Sequence, residues 1–185
     1  MNFNKHYDLV GKHSFLSPSS YSWLNYSEEK LIERYLNYKA IERGTRLHAI
    51  AASLIEEGLT MPRTKKTFDR YVNDAIGFGL NPERPLLYSS NCFGTADAIN
   101  FEKNKLRIHD LKTGVTPASI KQLEIYAALF CLEYDIRPND IQTELRIYQN
   151  NDVVITKPTG DEILPIMDKI ITSDKILEHL NHEGE

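Results

Sequence analysis

Arg107-Ile108-His109-Asp110-Leu111-Lys112-Thr113-Gly114 is the stretch whose reading decides the fold. It reads as a short strand, and side chains along a strand alternate with a period of two. Asp110 and Lys112 therefore point to one face, while Leu111 between them points into the core. A carboxylate can hold a divalent metal, and an ammonium beside it can steer a water or offset charge on a phosphate.

Immediately upstream, Lys103-Asn104 is a turn signal, and residues 92–101 before it alternate as a second strand. The two make an antiparallel hairpin with Asp97 on one arm and Asp110 on the other. Both lie at similar distances from the turn, which makes them roughly cross-strand partners. Two carboxylates side by side repel unless a cation sits between them, and this is the physical case for a metal site. Residues 86–90 read as a further strand.

Downstream, residues 114–117 turn the chain into a helix over 118–134. Ile120, Leu123, Ala127, Phe130, Cys131 and Tyr134 make its core face. Gln122 and Tyr126, four apart, share an adjacent stripe. Taken alone they are an exposed glutamine and a tyrosine at the core margin. Residues 143–149 and 153–157, joined through Asn150-Asn151-Asp152, predict a second hairpin. Residues 161–180 predict one amphipathic helix or two that cover the sheet.

The first 26 residues suggest an irregular start, with Ser17 capping a helical piece and Pro18 at its first position. A helix follows over 27–40. Residues 44–58 predict a separate one, capped by Thr45 and stopped by Gly58. Its apolar stripe is Leu47, Ile50, Ala51, Leu54 and Ile55, with His48 at the margin. A histidine in that position is most often a hydrogen-bonded boundary residue, but it projects from a rigid element. Residues 67–76 predict another helix, broken by Gly77, Gly79, Pro82 and Pro85.

With 185 residues, 41% hydrophobic and 26% charged, the chain has the composition of a soluble globular protein large enough to bury a core. One domain is expected: a helical lead-in over 1–43, a core over 44–157 and a helical cover over 158–185. No apolar run suits a membrane span and no signal peptide is recognisable, so an intracellular location is expected, the host cytoplasm if the chain is phage-encoded. The net charge of -4 argues against a protein that coats DNA non-specifically. It argues less against a nuclease, whose own carboxylates keep the site negative until metal binds. Arg63, Lys65, Lys66 and Arg70 form a local basic cluster, which can equally be a solvated loop. The two cysteines, Cys92 and Cys131, cannot make a four-thiolate zinc or iron–sulfur site, and read as small apolar residues.

Four stretches in order carry a resemblance: Gly44-Thr45-Arg46-Leu47-His48, Gly94-Thr95-Ala96-Asp97, Asp110-Leu111-Lys112-Thr113-Gly114 and Gln122-Leu123-Glu124-Ile125-Tyr126-Ala127. Together, with Leu16-Ser17-Pro18-Ser19 before them, they resemble the PD-(D/E)XK nuclease superfamily in its RecB-like exonuclease branch. Each is weak alone; their order and placement make the signal. The resemblance implies an α/β restriction-endonuclease-like core with a mixed central sheet flanked by helices. It implies that His48, Asp97, Asp110 and the Leu111 carbonyl hold one or two Mg²⁺ or Mn²⁺ ions, the imidazole leaning towards manganese. Lys112 would orient the attacking water, and Gln122 and Tyr126 would position the scissile phosphate or Lys112. Arg46, Arg63, Lys65, Lys66 and Thr113, with Gln122 and Tyr126, would meet the nucleic acid.

Branch members with an iron–sulfur cluster are not the match. The chain looks closer to cluster-free ones such as small phage recombination exonucleases. The expected activity is a metal-dependent DNA exonuclease working from linear or single-stranded ends in recombination, repair or replication processing. Single-strand annealing proteins, single-strand binding proteins or helicases are the expected partners. The alternatives are a structure-specific or restriction-type endonuclease, and a non-catalytic DNA-binding accessory protein on the same fold.

Overall fold

Two tight turns order the sheet. Lys103 and Asn104 have φ of 51° and 58°, and Asn150 and Asn151 have φ of 52° and 61°. Paired left-handed residues give a two-residue hairpin loop the twist that its strands need. In the computed structural model, which describes residues 4–183, these turns join β2 (Cys92–Glu102) to β3 (Lys105–Leu111) and β4 (Gln142–Gln149) to β5 (Asp152–Thr156). With β1 (Asn81–Ser89) they make one five-stranded sheet in the order β1-β2-β3-β4-β5. Every pair is antiparallel except β3 with β4. That parallel pair needs a long crossover, and α3 (Lys121–Glu133) lies within it. The fold is a mixed α/β sheet flanked by helices.

Contacts divide the chain into two compact units, Met1–Thr45 and Arg46–Glu185. In the first, the 3-10 turns Tyr7–Leu9 and Pro18–Asn25 precede the start of α1 (Glu28–Glu56). Ser17 does not cap the turn that follows it. Its hydroxyl meets Ser19 Oγ at 2.8 Å, and its carbonyl accepts the Trp23 indole N–H at 3.1 Å. Phe15 packs edge-on against Tyr35, with ring centroids 5.2 Å apart.

The expected break between two helices at residues 41–43 does not occur. α1 is one helix of 29 residues, and Thr45 is not a cap: its hydroxyl donates back to the Ile41 carbonyl at 3.2 Å. Threonine in mid-helix satisfies itself this way, so its capping chemistry misleads when only sequence is in hand. Gly58 does end the run, with φ +67° and its N–H on the Ile55 carbonyl. α3 starts at Lys121 rather than 118, because Gly114 to Ala118 are fastened elsewhere, as described below. α2 (Thr67–Gly77) and α4 (Gly160–Glu183) lie close to expectation.

In the second unit the sheet separates two apolar cores. One joins Ile99, Leu106, Ile108, Leu145 and Ile147 of the sheet to Leu123, Ala127 and Phe130 of α3 and Ile163 and Ile170 of α4. The other joins Ala98, Leu111 and Tyr148 to Ala51 and Ile55 of α1 and to Tyr71, Val72 and Ala75 of α2. Cys131 is buried in the first core and Cys92 lies at its margin, both as free thiols. No described helix is long and apolar enough to cross a membrane.

His109 sits fully buried on the face of β3 that meets the second core. Its ring is edge-on to Phe78 at 5.6 Å, and its Nδ1 lies 3.3 Å from the Tyr148 hydroxyl. That hydroxyl donates to Asp74 Oδ2 at 2.7 Å, so Nδ1 carries the proton and donates to the hydroxyl oxygen. Burial, with the nearby Arg146 guanidinium, holds the imidazole neutral and pushes its pKa down to about 3. The unfolded chain takes up this proton near pH 6.5 while the folded one refuses it until about pH 3. His109 thus costs nothing above pH 6.5 and destabilises progressively as pH falls towards 3. Relative to a His109→Leu chain, the native chain should lose about 2 kcal/mol between pH 7.5 and pH 5. Urea unfolding of both at the two pH values measures it, and parallel pH dependences would refute it.

Candidate active site

The β2–β3 ladder stops at the pair Ala98 and His109, one residue short of Asp97 and Asp110. There the Asp97 side chain takes over from the backbone: its Oδ2 accepts the Leu111 N–H at 2.9 Å. Alternation also breaks at this point. Ala96 and Ala98 are two residues apart yet fall in different cores, with Asp97 between them at the irregularity. Such breaks re-aim a side chain.

His48, on the part of α1 beyond Arg46, sets Nδ1 3.3 Å from the same Asp97 oxygen. This hydrogen bond raises His48 above the usual imidazole range. The charges of Asp97, Asp110 and Glu83 add to the shift and burial opposes it. Leu111 enters through its backbone, its side chain being buried in the second core. Glu83, which the sequence did not single out, joins the group. One ligand atom each from His48, Glu83 and Asp97 lie within 4.8 Å of one another. The Pro82–Pro85 stretch reads as a chain break in the sequence, whereas it forms the start of edge strand β1, where prolines are tolerated.

Asp110 and Lys112 do share a face. Lys112 Nζ donates to Asp110 Oδ1 at 3.0 Å and to Gln122 Oε1 at 2.8 Å, tying the end of β3 to the first turn of α3. Asp110 Oδ2 is also 3.0 Å from the ammonium, yet it is a buried oxygen without a hydrogen bond among the described residues. Burial first, then Asp97, pushes the Asp110 carboxyl above the usual range, against the pull of Lys112 and His48. One histidine and two carboxylates whose ligand atoms converge, bordered by the buried Asp110, are a donor set that fits a hard divalent cation.

Tyr126 packs on Gly94: a Cβ at Gly94 would meet Tyr126 Cε1 at 3.0 Å and its hydroxyl at 3.4 Å. Gly94→Ala should therefore push the ring aside and destabilise the fold by about 1 kcal/mol. An unchanged denaturation midpoint would show that the ring moves freely. Of the expected nucleic-acid contacts, Arg46 is exposed on α1 and Thr113 is exposed just after β3. Arg63, Lys65 and Lys66 are exposed in the segment between α1 and α2.

The segment after Thr113 is fastened by two adjacent side chains, Gln149 and Asn150. Gln149 Nε2 donates to the Gly114 and Thr116 carbonyls at 2.6 and 2.8 Å, and its Oε1 accepts the Ala118 N–H at 3.0 Å. Asn150 Nδ2 adds a bond to the Val115 carbonyl at 3.1 Å. On the other side of the same turn, Asn151 is bonded to Thr67 and Arg70 at the start of α2. A cleft of about 570 Å³ opens at the far end of β3, between residues 102–107 and 139–142, and contains none of the site residues.

No protein-family model matches the chain, and no curated protein matches it. Among solved structures the chain is similar to one described as the crystal structure of SSO0001. The two are 12% identical with a TM-score of 0.38, over 82% of this chain and 67% of that one.

Proposed function

We propose that this protein is a divalent-metal-dependent deoxyribonuclease that hydrolyses phosphodiester bonds from DNA ends. One observation carries the reading: Lys112 Nζ is held between Asp110 and Gln122, next to the cluster formed by His48, Asp97 and Glu83. A lysine fixed beside convergent carboxylates suits reactions in which negative charge grows on a phosphoryl group. His48, Asp97 and Asp110 would hold Mg²⁺ or Mn²⁺. The ion would supply Lewis acidity at a phosphoryl oxygen and a lowered pKa for water.

The protein's own part is positioning. Asp110 and Gln122 use two of the three N–H groups of Lys112, leaving one to aim at the attacking water or a phosphate oxygen. Gln122 keeps the ammonium from folding back wholly onto Asp110, and Asp110 keeps it close. The exposed Arg46, Thr113 and the basic segment Arg63 to Lys66 provide cations and a hydroxyl for the DNA backbone, a role they share with many solvated surfaces.

The test compares linear and covalently closed circular DNA with Mn²⁺. Loss of the linear form with the circle intact is expected. Equal cutting of both would replace end-directed action with endonuclease action. No cutting of either, with DNA still bound, would leave a binding protein and defeat the proposal.

A further inference from the structure

β1 opens with Asn81-Pro82-Glu83-Arg84-Pro85, and its ladder omits one pair there while the register holds: Pro82 pairs with Ala98 and Arg84 with Ala96, which sets Glu83 opposite Asp97. Glu83 has φ +48°, a left-handed conformation that L side chains avoid. A strand gains nothing from such a residue, so the conformation needs a reason beyond pairing. Its effect is to bring the Glu83 carboxylate to within 4.8 Å of a ligand atom on both Asp97 and His48.

That proximity is unfavourable as it stands. Glu83, itself exposed, and Asp97 bring two carboxylates together with one imidazole, and like charges at that distance repel. Two carboxylates turned towards each other by a strained backbone are stable together when a cation offsets them. A neighbouring observation bears on the same site. Asp110, 3% exposed, is a buried carboxylate whose two oxygens each lie 3.0 Å from the Lys112 ammonium, and its Oδ2 makes no hydrogen bond among the described residues.

We propose that Glu83 is a ligand for the divalent cation, completing with His48 and Asp97 a three-sided seat that borders Asp110. The inference rests on the metal-dependent reading of the site. It adds to it a carboxylate from the edge strand, outside the four stretches that suggested that reading. Two carboxylate oxygens and one imidazole nitrogen suit Mn²⁺ better than Ca²⁺, which prefers an all-oxygen shell.

The experiment titrates Mn²⁺ into the full chain without DNA, following free Mn²⁺ by electron paramagnetic resonance, for the native chain, Glu83→Gln and Glu83→Gly. Both variants should bind Mn²⁺ at least about tenfold more weakly than the native chain. In Glu83→Gly the metal-free melting temperature should hold or rise, because glycine takes φ +48° without strain. Native-like Mn²⁺ affinity in either variant would overturn the proposal. So would a metal-free Glu83→Gly chain that melts clearly lower, since that would make Glu83 a structural residue. If the native chain took up no Mn²⁺, the cation reading of the whole site would fall, an outcome distinct from failure of the Glu83 variants alone.

Discussion

Replacing Lys112 with alanine is expected to lower DNA cleavage by about a thousandfold or more, the scale seen when a fixed donor to developing charge is removed. Mn²⁺ uptake should survive, because His48, Glu83 and Asp97 are untouched. The two readouts separate because Lys112 reaches the site from the amine side, bonded to Asp110 and Gln122 rather than to the His48–Asp97 pair. Without its ammonium, Asp110 becomes a buried carboxylate facing Asp97 with no cation beside it, and the metal-free chain should become less stable. Mn²⁺ should then stabilise the variant more than it stabilises the native chain. Lys112→Arg should not restore activity, since a planar guanidinium cannot occupy the seat of a compact ammonium held by one carboxylate and one amide oxygen. Single-turnover cleavage beside a Mn²⁺ titration is the measurement. Cleavage within tenfold of native in Lys112→Ala would place the chemistry elsewhere.

Asp97 should be the most damaging residue to lose. It alone is bonded both to His48 and to the Leu111 N–H, and it is also part of the cluster with Glu83. Asp97→Ala removes a ligand and leaves a backbone donor without its partner, at a cost of about 1–3 kcal/mol. Asp97→Asn keeps an oxygen for the Leu111 N–H but not the charge. Both variants should lose cleavage to background and weaken Mn²⁺ binding on the order of a hundredfold, while the asparagine chain should unfold at a urea concentration close to native. The comparison distinguishes metal loss from misfolding. Retained cleavage in Asp97→Asn would exclude this carboxylate from the site.

Much of this arrangement could be read from the sequence because its decisive parts are local. The β2–β3 hairpin is set by Lys103-Asn104 and by alternation, and once it is drawn Asp97 and Asp110 must be neighbours. The reach of Lys112 to Gln122 follows from a short connection between β3 and α3. What could not be read depended on tertiary context. Gly44 and Thr45 are ordinary punctuation marks, yet α1 continues through them because the glycine is buried and the threonine satisfies its hydroxyl on its own helix. Glu83 was hidden by its prolines, whose meaning on an edge strand is the opposite of their meaning in a loop. His109, inside the decisive octapeptide, carries no local signal of its role. Its neutrality depends on burial and on Arg146, which lies far along the chain.

The Gln149 amide gives the connection between β3 and α3 an unusual economy. One side chain at the end of β4 imitates a stretch of backbone, accepting from Ala118 and donating to two carbonyls. With the Asn150 bond to Val115, the connection is held from one corner of the sheet. Where loops fixed by scattered contacts fray piecemeal, this one is fastened by two adjacent residues at the end of β4. Rotating that glutamine would slacken the span between Lys112 and Gln122 without disturbing a single strand.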